Sequence, residues 1–286
     1  MAQTIGNPLS WGARLLGAAG QDVGAAARRI GGEAAAEPEI RAIGMADIRI
    51  ALRLGLADFG ALRTDVIVAA LLYPVIGALL IALAFHRDLL PLIFPMISGF
   101  ALVGPAAAIG LYEMSRRREA GQPASWADGF AVMRSATFGA ILVLALGLVV
   151  LFVGWMLTAL LIYRVTLGPE LPQTVAGFVG AVIGTGPGWA MTLIGIPAGF
   201  VFAAVALAVS VVSFPLLIER NIGVAAAVRT SVRVSLASPV TVAAWGAIVA
   251  GSLVIGALPL LLGLAVVVPV LGHATWHLYR RAVVPG

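Results

Sequence analysis

Long apolar runs separated by short polar stretches organise this chain. Val66–Phe85 is an uncharged run of 20 residues, Leu89–Tyr112 of 24, Ala136–Tyr163 of 28 and Trp189–Ile218 of 30. A helix needs about 20 predominantly apolar residues to cross the hydrocarbon core of a bilayer, so each run is long enough to span. Pro239–Tyr279 is harder to place: it has 41 residues and no Asp, Glu or Arg. As one helix it would be roughly 60 Å long, about twice the hydrocarbon thickness. It therefore predicts two helices turning near Ala257, Leu258 and Pro259, where proline removes a backbone donor. The Gly-rich stretch Val175–Gly188 reads as an outer loop or the lead-in to the fourth span.

The pattern thus predicts an all-α polytopic bundle over residues 47–282, with six spans at about 66–85, 89–112, 136–163, 189–218, 240–257 and 260–279. The segments ahead of the apolar hairpins are mildly amphipathic. In Ile48–Arg63, Ile48, Leu52, Phe59 and Leu62 share one side at helical spacing, and Arg49 and Arg53 share the neighbouring side. Ala51-Leu52-Arg53, Ala131-Val132-Met133-Arg134 and Ala227-Val228-Arg229 echo one another, as do Asp58-Phe59-Gly60 and Asp128-Gly129-Phe130. The expected arrangement is three hairpins, each preceded by a short interfacial helix. Residues 1–46, rich in Ala, Gly and Glu and broken by Pro38, read as a flexible cytoplasmic tail.

Composition makes lipid part of the solvent. Sixty-one per cent of the 286 residues are hydrophobic, only 11% are charged, and the mean hydropathy is +1.05. A soluble domain carries roughly a quarter charged residues to cover its surface. All 18 basic residues are arginine, which we read as a coding bias of a GC-rich bacterium. With six spans, 16 of them fall on one side and only Arg87 and Arg164 on the other. Such a bias places both termini in the cytoplasm, with the protein in the bacterial inner membrane. The arginines are scattered between helices without interleaved aromatics, which argues against a nucleic-acid partner. The absence of cysteine removes thiolate catalysis, disulfides and thiolate-bound metals.

Candidate chemistry is sparse. His273 and His277 stand at i, i+4 and face one side of the last span. That spacing cannot supply the two opposed axial ligands of a haem, and the remaining histidine, His86, is expected on the opposite side of the membrane. Glu113 and Glu219 end the second and fourth spans on the inner side and are the expected partners of the two histidines. Together the four make a candidate polar cluster. Trp276, Tyr279, Arg280 and Arg281 read as anchors at the membrane interface. No carboxylate sits in the middle of a run, where proton-coupled transporters usually need one. No Walker, GxGxxG, HExxH or GxSxG motif stands in a usable context, and neither cofactor nor metal is expected.

The stretch Gly272-His273-Ala274-Thr275-Trp276-His277-Leu278-Tyr279-Arg280, with Phe214-Pro215-Leu216-Leu217 and Asp58-Phe59, resembles an uncharacterised family of bacterial integral membrane proteins over roughly residues 47–282. Some of its members carry a cytochrome c oxidase subunit label. The resemblance implies a multi-span helical fold and no established activity. Three histidines are too few for the haem and copper ligands of an oxidase core. The expectation for function is a non-catalytic accessory, assembly or scaffold component, with respiratory association as the most the label implies. Its partners would be the bilayer and other membrane proteins. The alternative is a small transporter or permease for an apolar or weakly polar solute.

Overall fold

The computed structural model describes residues 37–62, 87–168, 170, 174–259 and 261–285, together with isolated positions at 31, 75, 78, 79 and 82. The expected first span at 66–85, His86 and nearly all of residues 1–36 lie outside the described residues. Among those described, the architecture is all-helical, with no strand beyond an isolated antiparallel bridge between Ile40 and Val283. In order, the helices are α1 (Met45–Ala61), α2 (Ile93–Ala107), α3 (Ile109–Glu119), α4 (Trp126–Ala131), α5 (Phe138–Thr166) and α6 (Val175–Gly184). There follow α7 (Gly186–Ser210), α8 (Ser213–Glu219), α9 (Gly223–Ala237), α10 (Pro239–Ala257) and α11 (Leu264–Ala282). A 3₁₀ turn, Arg87–Leu92, leads into α2.

Among the described residues, four segments are long and apolar enough to cross a membrane: Leu90–Glu119, Phe138–Thr166, Gly186–Glu219 and Pro239–Ala257. Each coincides with an apolar run of the sequence. Two of the four are interrupted. The Gly186–Glu219 segment breaks at Val211 and Val212, where Pro215 cannot donate the hydrogen bond that would continue the helix. Ser213 accommodates the break, its hydroxyl donating to the carbonyls of Val209 and of Ala227 in α9. The expected turn near Pro259 is present: α10 ends at Ala257 and α11 starts at Leu264.

α11 differs from the other long helices. Its C-terminal half is buried on nearly every side, by α1, α3 and α8. The histidines and aromatics in this half therefore face protein. The same packing explains α1, whose buried face is Ile48, Ala51, Gly55 and Asp58. That face is rotated from the expected Ile48, Leu52, Phe59 and Leu62 side. The reason is steric: at Gly55 the two backbones approach so closely that a Cβ would stand 2.6 Å from the Ala274 nitrogen.

Two further differences concern connections. Val175–Gly184 is a helix of 10 residues, capped by Thr174, and Thr185 caps the α7 that follows. Residues 37–44, expected within the flexible tail, form an extended arm along the C-terminus. Arg41 N–H donates to the Ala282 carbonyl (2.8 Å) and Val284 N–H to that of Glu39 (3.0 Å). The arm also reaches the α9–α10 junction, where Ile43 N–H donates to Ser238 Oγ and Thr241 Oγ1 donates to the Ile43 carbonyl.

The candidate polar site beneath helix α1

Asp58 projects from the buried face of α1 and is 5% exposed. α3 brings Ser115 to it from a run of buried residues, Leu111–Ser115, and α11 brings His273 and His277 from one face. Ser115 Oγ donates to Asp58 Oδ2 at 2.6 Å, and His277 Nε2 lies 2.8 Å from the same oxygen. Arg118 Nε approaches Oδ1 at 2.9 Å. His273 Nδ1 sits 2.8 Å from Ser115 Oγ.

The proton positions follow from the donor inventory. An ionised carboxylate only accepts, so the proton between His277 and Asp58 belongs to Nε2. Ser115 has one proton and gives it to Asp58, so it accepts from His273 Nδ1–H. Burial alone pushes the Asp58 carboxyl up. The hydrogen bonds from His277 and Ser115, with the charge of the imidazoles, outweigh it and hold the group below its ordinary value of 3.8.

A second layer of ion pairs surrounds this centre at the same end of the bundle. Glu119 accepts from Trp276 Nε1 (2.8 Å) and Arg280 Nε (3.0 Å). Glu219 accepts from the Tyr279 hydroxyl and from Arg280 Nη1 at 2.9 Å. Glu113 takes a two-pronged contact from Arg116, 2.7 Å on each oxygen, and a third bond from Arg117. Arg117 continues to Asp128 at 2.8 Å, and Arg281 to Asp47 at 2.8 Å. An open cleft of about 280 Å³ lies over Asp58, lined also by Leu54, Ala57, Arg118, Glu119 and His277.

Of the four residues expected to cluster, the structure brings only His273 and His277 to one centre. Their partners are Ser115 and Asp58, whereas Glu113 is held by its own helix's arginines and Glu219 by Tyr279 and Arg280. Trp276 and Tyr279 are both 1% exposed and bonded to carboxylates, so neither faces a headgroup layer from this chain. Arg280 and Arg281 are likewise spent on Glu119, Glu219 and Asp47. Sequence reasoning missed Ser115 and Arg118 altogether. Asp58 carried a readable signal, since it lies seven residues after Ala51 and three after Gly55 and so shares their side. The Asp58–Asp128 echo does not survive, because Asp128 caps α4 by accepting from Ser125 N–H as Asp47 caps α1 by accepting from Gly44 N–H.

The order of the three groups differs from that of a nucleophilic triad. In a nucleophilic triad the serine proton passes to imidazole and the carboxylate stands behind the histidine. Here the serine stands between histidine and carboxylate, fully buried. Among the described residues no three His, Cys, Asp or Glu side chains gather as a metal-ligand set.

Residues 93–219 match the family described as "Predicted integral membrane protein (DUF2189)". The match runs from the start of α2 to the end of α8, and its description says nothing of cytochrome c oxidase. It includes Ser115, Arg118 and Glu119 but not Asp58, His273 or His277, so the polar centre joins the matched segment to helices on either side of it. Comparison with curated proteins and with solved structures finds no match. With its long apolar helices, the chain is an integral membrane protein.

Proposed function

We propose that the protein is a non-catalytic scaffold or accessory component of the bacterial inner membrane. In this reading it crosses six times as three hairpins, each led by an interfacial helix (α1, α4 and α9), with both termini in the cytoplasm. One observation carries the functional part. The buried polar groups of the centre are directed at each other and tie α1, α3 and α11 together, which is the chemistry of a latch between helices. Interhelical polar contacts in membranes contribute about 0.6–2 kcal/mol each, so several are needed to fix one arrangement. The apolar flanks supply surface for neighbours: Val150 and Phe200 are each 72% exposed. Lipid or another membrane helix would cover them.

The test is covalent cross-linking in native membranes, then purification and identification of what is held. A membrane partner recovered in fixed proportion, and lost when α1 is undocked by Asp58→Ala, supports the scaffold reading. Recovery of the chain alone, with solute uptake by liposomes containing it, supports the alternative, a small permease for an apolar or weakly polar solute. That alternative draws on the cleft over Asp58 and the broken helix at Val211–Val212. Recovery of respiratory complexes would give the partner the identity that the oxidase label implies.

A further inference from the structure

We propose that the outer faces of α1 and of the α4 turn dock on anionic lipid headgroups. At this end of the bundle, Arg41, Arg116, Arg117, Arg118, Arg220, Arg229, Arg233, Arg280 and Arg281 each contact a carboxylate or a backbone carbonyl. Arg49, Arg53 and Arg134 have no such acceptor among the described residues and are exposed. Arg49 and Arg53 are one helical turn apart on the same face, so two like charges stand side by side without a counter-ion among the described residues.

Apolar side chains share these faces. Met45 and Leu56 flank the arginine pair on α1 and are 45% and 58% exposed. Phe130 and Met133 precede Arg134 and are 54% and 55% exposed. A helix face that joins bare arginines to exposed apolar side chains suits the boundary between acyl chains and headgroups. There the apolar groups sink and the guanidiniums extend to phosphate. The two faces are held by neighbouring residues of one helix: Arg118 fixes α1 through Asp58, and Arg117 fixes α4 through Asp128. The third elbow, α9, serves as an internal contrast. Its Arg229 and Arg233 are occupied by Glu37 of the N-terminal arm, at 3.0 and 3.2 Å. The inference does not depend on the scaffold reading.

The experiment measures the melting temperature of the full chain in a neutral detergent. Dioleoyl phosphatidylglycerol, dioleoyl phosphatidylcholine or inorganic phosphate is added at matched concentration. Phosphatidylglycerol should raise the melting temperature more than phosphatidylcholine does, and the difference should shrink as salt rises, because exposed charges are screened over about 10 Å at 0.1 M. Replacing Arg49, Arg53 and Arg134 together by Gln should remove at least half of that difference while leaving the melting temperature in phosphatidylcholine within reach of the wild type. The pair Arg229→Gln and Arg233→Gln should keep the difference. Equal shifts from the two lipids would overturn the proposal. So would a triple variant that retains the difference, or inorganic phosphate matching phosphatidylglycerol.

Discussion

Asp58 receives three donors and is itself buried, so its charge matters more than its shape. Asp58→Asn keeps the volume, leaves Arg118 without its acceptor and forces an amide N–H toward groups that already donate. Breaking a buried ion pair costs about 3–5 kcal/mol. Arg118 is partly solvated, which brings the expected loss to about 2–3 kcal/mol in detergent melting. The pH dependence has a definite sign. The folded-state pKa of Asp58 lies below the unfolded value of 3.8, so its contribution is complete above that value and lost as pH falls through the lower one. The deficit of Asp58→Asn should therefore stay constant from pH 7 to 5 and close only in strong acid. A deficit already gone at pH 5 would place the stabilisation elsewhere. His273→Leu should be milder than Ser115→Ala. Leucine removes the imidazole and leaves the Ser115–Asp58 bond intact, whereas Ser115→Ala strands His273 Nδ1–H in the interior at about 1–3 kcal/mol. The pairing of His273 with His277 on one face was legible from their spacing, but their acceptors were not. Glu113 is claimed by arginines three and four residues further along its own helix, a local competition that outranks any distant partner.

Between elements, the contact of α1 with α11 rests on Gly55. A methyl group there meets the Ala274 backbone, which cannot rotate away, so Gly55→Ala should cost about 1–3 kcal/mol as overpacking. Gly60, on the same helix, has open space around its missing Cβ. Gly60→Ala should be neutral or gain up to about 1 kcal/mol from helix propensity. The chain contains no cysteine, so a single Ala51→Cys reports docking directly. Ala51 is fully buried, and a maleimide should label it slowly in the parent and quickly with Gly55→Ala. Equal labelling would mean that the close approach is not what holds α1. The long apolar runs were legible because lipid demands length and apolarity and little else. The seating of α1 was not. Its apolar stripe pointed to Leu52 and Phe59, yet contact with α11 selected the smallest side chains, and a face chosen for closeness leaves no hydrophobic pattern. The arm at 37–44 was invisible for a related reason, since many of its bonds use backbone groups and its partners lie some 195–245 positions away.

At the scale of the molecule, the direction of each helix fixes the topology to be tested. The Leu90–Glu119 segment ends among Arg116, Arg117 and Arg118, and α5 starts beside Arg134 and ends at Arg164. α8 ends beside Arg220, α10 begins just after Arg233, and α11 ends at Arg280 and Arg281. The ion pairs Arg280–Glu119, Arg280–Glu219 and Arg118–Asp58 place the ends of the Leu90–Glu119 segment, α8, α11 and α1 at one pole. The turn at Arg87–Leu92 lies at the other pole, against α6 and the later part of α5. In the proposed six-pass arrangement, α1 and the C-terminal end of α11 share the arginine-rich pole, where Asp58 meets His277. In that proposal, retention of arginine on the cytoplasmic side would put the arginine-rich pole, with α1 and the C-terminus, in the cytoplasm. A fluorescent protein fused after Gly286 should be bright, and alkaline phosphatase at the same position inactive. Fusions within the 167–174 connection should behave the opposite way, because that connection follows Arg164 at the far pole. Active phosphatase at the C-terminus, or the same response at both positions, would refute the six-pass arrangement. The second position also separates an inverted molecule, which would exchange both signals, from one with an odd number of passes, which would change the relation between α1 and the C-terminus that Asp58 and His277 hold together.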